Sequence, residues 1–229
     1  MPRTTSRHGT LVAAIAVVGL LSGCSRDHTI VGNDQIVGSG RIVSEARSPG
    51  IFSGIQLLGV GKVYVTQDSV ESLRVESDDN IIGLVETTVS GGVLTIQLRD
   101  GSYSNITLRI YATLKHPGLL SCSGAGEIRT TGALHIDSLA CRLTGAGIIS
   151  ISGTATAQTI EITGAGNFLN FDLVSSRCSA SISGSGLIET TAPESLKAAI
   201  AGTGTITYGG NPTVVQTSIT GVGTIRPRN

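Results

Sequence analysis

From about residue 119 onward, apolar and short polar side chains alternate along the chain, the period of a strand with one buried face. No spacing of three or four residues runs through this stretch, so helices are not expected. Superimposed on the alternation is a longer repeat. The tripeptide Gly-x-Gly begins at Gly124, Gly145, Gly164, Gly184, Gly202 and Gly221. Each copy is preceded two residues earlier by Cys122, Leu143, Ile162, Ile182, Ile200 or Ile219, and followed four residues after its first glycine by Ile128, Ile149, Phe168, Ile188, Ile206 or Ile225. An even separation puts both apolar positions on one face of an extended chain, and that face is the expected core.

A strand-rich repeat of roughly 20 residues predicts an all-β fold, a β-solenoid whose coils stack like on like in parallel. Leucine-rich repeats need Leu in several fixed slots that this chain lacks, and Ca²⁺-binding nonapeptide repeats need an Asp that does not follow these glycines. Two reasons for the inward glycines stand open: a corner in a conformation only Gly accepts, or walls too close for a Cβ.

Two earlier copies share the frame, Leu57 to Val63 and, more weakly, Ile36 to Ile42. Between Gly61 and Gly124 the repeat degenerates into strand-and-turn pieces: Lys62 to Thr66, Ser72 to Glu76, Val85 to Val89, Val93 to Leu98 and Asn105 to Ala112. Asp78-Asp79-Asn80, Gly91-Gly92 and Asp100-Gly101 separate them as turns.

The N-terminus follows a different logic. Arg3, Arg7 and His8 precede an apolar run from Leu11 to Leu21 that is too short for a settled membrane-spanning helix, so it reads as an export signal. Leu21-Ser22-Gly23-Cys24 resembles the lipobox of bacterial lipoproteins, which implies cleavage before Cys24 and a lipid on that residue. Ser25 rather than Asp follows, which by the same resemblance favours the outer membrane. The expected organisation is a signal peptide at 1–23, a lipid-anchored tether at 24–48 with room for a short first strand at Gln35 to Val43, and a solenoid domain at 49–229. That domain divides into an irregular part, 49–118, and regular Gly-x-Gly coils, 119–229.

Composition supports a flat, closely stacked architecture: aromatics are 3% of the chain, charged residues 14%, Trp is absent and Gly numbers 31. Formal net charge is zero, and removing the signal segment leaves 14 basic against 16 acidic residues, with no basic run. No nucleic-acid partner is expected from such a balance. Cys122, Cys141 and Cys178 all have inward parity and read as buried hydrophobes; Cys122 and Cys141 are offset by two residues, about 7 Å along a strand, which disfavours a disulfide.

No nucleophile elbow, Walker loop, HExxH or CxxC pair occurs, and the histidines, His8, His28, His116 and His135, are isolated, so no catalytic, metal or cofactor site is expected. Pectate-lyase-type β-helices are enzymes, but the acids Glu127, Asp137, Glu161, Asp172, Glu189 and Glu194 differ in their offsets from the glycine pairs and should form no carboxylate ladder. Preceding each glycine pair is Ser123, Thr144, Thr163, Ser183, Ala201 or Thr220, an outward column that suits either ligand contact or β propensity alone.

Several stretches together resemble a known family, the putative auto-transporter adhesin, head GIN domain proteins. They are Phe52-Ser53-Gly54-Ile55, Val75 to Asn80, Val89 to Ile96, His116-Pro117-Gly118-Leu119, the serial Gly-x-Gly units, and Tyr208 to Pro212. The resemblance implies a right-handed, single-stranded β-helix and a place in the cell envelope, and supplies no catalytic residues to carry over. Three readings follow: a lipid-anchored adhesin or binding module for a glycan or protein, an envelope spacer, and a carbohydrate-active enzyme. The membrane is an expected partner through the lipid, and an open solenoid end makes a homo-oligomer a further option.

Overall fold

The computed structural model describes residues 35–229; the segment expected to be an export signal, its expected cleavage point and Cys24 lie outside the described residues. Twenty strands follow in chain order. The first nine are β1 (Ile36–Val37), β2 (Ile42–Arg47), β3 (Gly54–Gly59), β4 (Lys62–Gln67), β5 (Ser72–Asp78), β6 (Val85–Ser90), β7 (Val93–Leu98), β8 (Tyr103–Ser104) and β9 (Leu108–Leu114). Then come β10 (Leu119–Gly124), β11 (Glu127–Thr130), β12 (Leu134–Leu143), β13 (Ile148–Ser150), β14 (Gly153–Ile162) and β15 (Asn167–Ile182). β16 (Ser185–Thr191), β17 (Ser195–Ile200), β18 (Thr203–Gly209), β19 (Val214–Ile219) and β20 (Val222–Pro227) complete the chain.

These strands stack as the coils of a β-solenoid, and the expected registers are met residue for residue. On one wall Leu57, Cys122, Leu143, Ile162, Ile182, Ile200 and Ile219 lie directly opposite one another in successive parallel strands. On the adjoining wall the same holds for Val63, Ile128, Ile149, Phe168, Ile188, Ile206 and Ile225. Nearly all of these side chains are fully buried. Burying each contributes about 1.5–3 kcal/mol, and this is the main source of cohesion between coils.

The irregular part also builds a coil, in an order the chain does not follow. β7 pairs in parallel with β3, placing Ile96 against Leu57, and β9 pairs in parallel with β4, placing Ile110 against Val63. Since β3 and β4 also pair with β10 and β11, the first coil in sequence is sandwiched between two later ones. Antiparallel strands then cover the outer edge: β6 on β7, β5 on β9 and β2 on β5. The weak copy at Ile36 to Ile42 makes no coil; β1 pairs with β8 and β2 with the cap.

Asp78-Asp79-Asn80, read as a turn, fastens this cap. The buried Asp78 carboxylate accepts hydrogen bonds from the amides of Gly40 and Thr107, each at 2.7 Å. Ser39 Oγ donates to Asp79, while Asn80 accepts from the Ser39 amide and donates to the Val37 carbonyl. At the opposite end nothing covers the final coil among the described residues. There Val215 and Ile219 keep inward parity yet remain 42% and 46% exposed.

The glycines settle between the two reasons offered for them. At Gly59, Gly61 and Gly124 φ is +93°, +127° and +144°, so the first coils do turn through a conformation reserved for glycine. In later coils the reason is close approach, and the neighbour is the same position one coil away rather than an opposing wall. A Cβ on Gly164 would sit 2.3 Å from the Gly145 carbonyl oxygen, and one on Gly184 would sit 2.1 Å from that of Gly164.

Three outcomes follow. Ile182→Asp should lose roughly 4 kcal/mol or more by burying a charge in the column, whereas Ile219→Asp in the exposed coil should lose less than about 1.5 kcal/mol by urea melts. Gly164→Ala should destabilise by about 3 kcal/mol through a backbone clash, while Gly132→Ala, where a Cβ meets nothing within 4 Å, should stay within about 1 kcal/mol of the parent. The carboxyl of Asp78 is held below its ordinary value of 3.8, chiefly by the Thr107 amide, with burial opposing and the Gly40 amide adding. Its stabilising contribution is therefore complete above pH 3.8 and lost as pH falls towards the lower, folded-state value. Asp78→Asn should lower stability at neutral pH and flatten the acid limb of the stability curve; an unchanged acid limb would remove Asp78 from the account.

Candidate functional site

Outward positions on the solenoid carry mostly Ser, Thr and isolated charges; Phe171, with the Arg228 guanidinium 4.3 Å over its ring, is one departure, and a larger group at the other end is a second. Across β5, β9, β4 and β11 the residues Arg74, Tyr111, Tyr64 and Arg129 lie in one cross-strand row. Parallel pairing brings the two tyrosine rings to 5.0 Å between centroids at 15°, and the Arg74 guanidinium lies 3.9 Å over the Tyr111 ring. Each such contact is worth on the order of 0.5–1 kcal/mol at a half-exposed site. The row is thus a stiff group of Tyr and Arg side chains standing on a rigid sheet.

One row over, Glu76, Arg109, Lys62 and Glu127 are aligned on the same four strands. Glu76 pairs with Arg74 and accepts from the Tyr111 hydroxyl at 3.2 Å; Glu127 pairs with Lys62 at 3.1 Å and with Arg129. Counting both rows, four cations face two carboxylates. A groove of about 430 Å³ adjoins them, running along the Gly-x-Gly corners of three coils beneath the stretch Ile106–Arg109.

Neither the alternation nor the glycine repeat pairs Tyr64 with Tyr111. A signal was present: Lys62-Val63-Tyr64-Val65 and Arg109-Ile110-Tyr111-Ala112 share a cation, apolar, Tyr, apolar order, and the fold lays one upon the other.

The expected outward column stands where its parity puts it, at the corner: Thr144, Thr163, Ser183, Ala201 and Thr220 are exposed and Ser123 partly so. Of the acids considered for catalysis, Glu127 lies beside Lys62 and Ile148, Glu161 beside Arg142 and Ser181, and Glu189 beside Leu169 and Thr207, so these three form no carboxylate ladder. Glu161 instead pairs with Arg142 at 3.0 Å. Among the described residues no three His, Cys, Asp or Glu side chains gather as a metal set.

The three cysteines are unpaired and buried, as their parity implies. Burial pushes the thiols of Cys122 and Cys141 upward and that of Cys178 up to about 11, so none is a thiolate near neutral pH. Beside them lies a polar seam that the alternation concealed, formed by Gln158, Asn170, Ser175 and Thr190, all but sealed from solvent. Asn170 accepts from the Ile151 amide at 3.1 Å, Ser175 reaches Gln158, and Thr190 reaches Cys178. Being closed off, the seam offers no route for a substrate.

Comparison with known proteins agrees with this architecture. The family model described as putative auto-transporter adhesin, head GIN domain, matches residues 51–212. The crystal structure of a putative adhesin from Bacteroides fragilis is similar at TM-score 0.70 and 26% identity, covering 84% of this chain and 100% of that one. A putative adhesin from Parabacteroides distasonis aligns at TM-score 0.60 and 22% identity, over 85% and 100% of the two chains. A putative lipid binding protein from the same species aligns at TM-score 0.52 and 23% identity, also over 85% and 100%. The last two likenesses bear on fold alone. No curated protein matches the chain.

Proposed function

Because the chain belongs to the putative auto-transporter adhesin, head GIN domain family, we propose that it is a non-catalytic binding module held at the cell envelope by a lipid on Cys24. The observation that carries the binding role is the Tyr64 and Tyr111 stack bracketed by Arg74 and Arg129. Tyr and Arg dominate energetic centres of interfaces because they bring large contact area at small entropic loss, and here the sheet has already fixed their positions. The solenoid supplies a long, stiff support for such a surface. Lipid anchoring rests on the Leu21 to Cys24 segment, with the outer membrane favoured by Ser25.

Cells displaying the protein are the natural assay, scored for retention on surfaces coated with mucin-type glycoprotein or matrix proteins. Tyr64→Ala with Tyr111→Ala should reduce retention at least about tenfold, the equivalent of 1.4 kcal/mol, while the purified variant stays folded. The triple change of Thr144, Thr163 and Thr220 to Lys tests the corner column in the same way. Full retention in both sets, with unchanged melting, would leave the spacer reading in place of a binding one. For the anchor, Cys24→Ala should abolish metabolic labelling by a fatty-acid analogue, and persistent labelling would refute it.

A further inference from the structure

We propose that the groove beside the tyrosine row binds a carboxylate-bearing sugar, the uronate unit of an acidic polysaccharide, with Arg109 as the carboxylate's partner. The inference names a ligand class for the binding surface and so rests on the reading of the protein as a binding module.

Arg109 is the informative residue. It lies directly opposite Lys62 across the β4–β9 ladder, and like charges in that position destabilise a sheet. Lys62 is relieved by Glu127, and Glu76, on the other flank of Arg109, is engaged by Arg74 and the Tyr111 hydroxyl. Among the described residues no carboxylate pairs with Arg109, which lines the groove. A guanidinium of that kind is matched by a planar oxyanion that accepts two parallel hydrogen bonds, and a carboxylate has that shape.

The rest of the groove suits a pyranose better than a wholly apolar or wholly ionic ligand. Its volume, about 430 Å³, lies in the range of small-molecule sites. Ile106, Ala125 and Ala146 in its lining, none of them buried, offer apolar contact to the C–H face of a sugar ring. Glu127 and Lys62 supply an acceptor and a donor for its hydroxyls. An acyl chain would have to lie against Glu127, and a simple inorganic anion would leave the apolar side unused. The groove is open to solvent and crosses three coils, roughly 10 Å at 4.8 Å per coil, so a polymer can pass through it.

Calorimetric titration of the full chain with tri-galacturonate and with the same trimer carboxyl-reduced tests the proposal. The charged trimer should bind about tenfold more tightly than its neutral counterpart, with an affinity that falls as salt rises. Arg109→Gln should weaken the charged trimer about tenfold and abolish the preference, and Ala146→Phe, which fills the groove from an exposed position, should weaken both trimers. Equal affinity for the two trimers, a preference that survives Arg109→Gln in a variant of unchanged melting temperature, or no heat from the charged trimer at millimolar concentration would each overturn the proposal. Retention on protein-coated surfaces could still hold in any of those cases, so the binding reading fails separately.

Discussion

Coils can stack in this protein because, at one corner, the backbone of each lies directly against the backbone of the next. The carbonyls of Gly124, Gly145, Gly164 and Gly184 occupy the space where the Cβ of the following coil's residue would be. They also accept hydrogen bonds of 2.8 Å from the amides of Ala146, Ala165, Ser185 and Thr203. A side chain at any of these positions would force coils apart that are otherwise held at ladder spacing. Every apolar column beside the corner depends on that spacing, since Leu143, Ile162, Ile182 and Ile200 contact one another only when the coils are in register.

What could be read in advance follows from how local the governing rule is. Coils from Leu119 onward obey alternation and a fixed period, so both the strands and their vertical neighbours were legible. Parity also placed the three cysteines in the core. The stretch from Lys62 to Gly118 yielded its strands but not its topology. Leu94, Ile96, Ile110 and Ala112 are inward residues of a terminal coil, and nothing local says that this coil lies outside the one formed earlier in the chain. Gln158 and Asn170 were hidden for a related reason: parity gives direction, but it does not say that a polar side chain will be sealed inside.

The outer surface shows the same division. Short hydroxyl residues at the corner were expected and occur there, whereas the tyrosine row needs two strands 47 residues apart to be recognised as neighbours. Once paired, the two strands and their neighbours β5 and β11 set a stacked aromatic group, four cations and a groove on one part of the surface. The regular coils continue this sheet and stiffen it, and the antiparallel cap, fastened by Asp78, closes the edge beyond it. The stacked aromatics and the groove therefore lie together at the end of the solenoid where the repeat is least regular.

The glycine-corner ladder is tested most directly by native-state hydrogen exchange. The account predicts that the amides of Ala146, Ala165, Ser185 and Thr203 exchange only through unfolding as costly as that of the buried columns beside them. Exchange of these amides at the rate of exposed turns would mean that the corners are not stacked, and would contradict the account at its base.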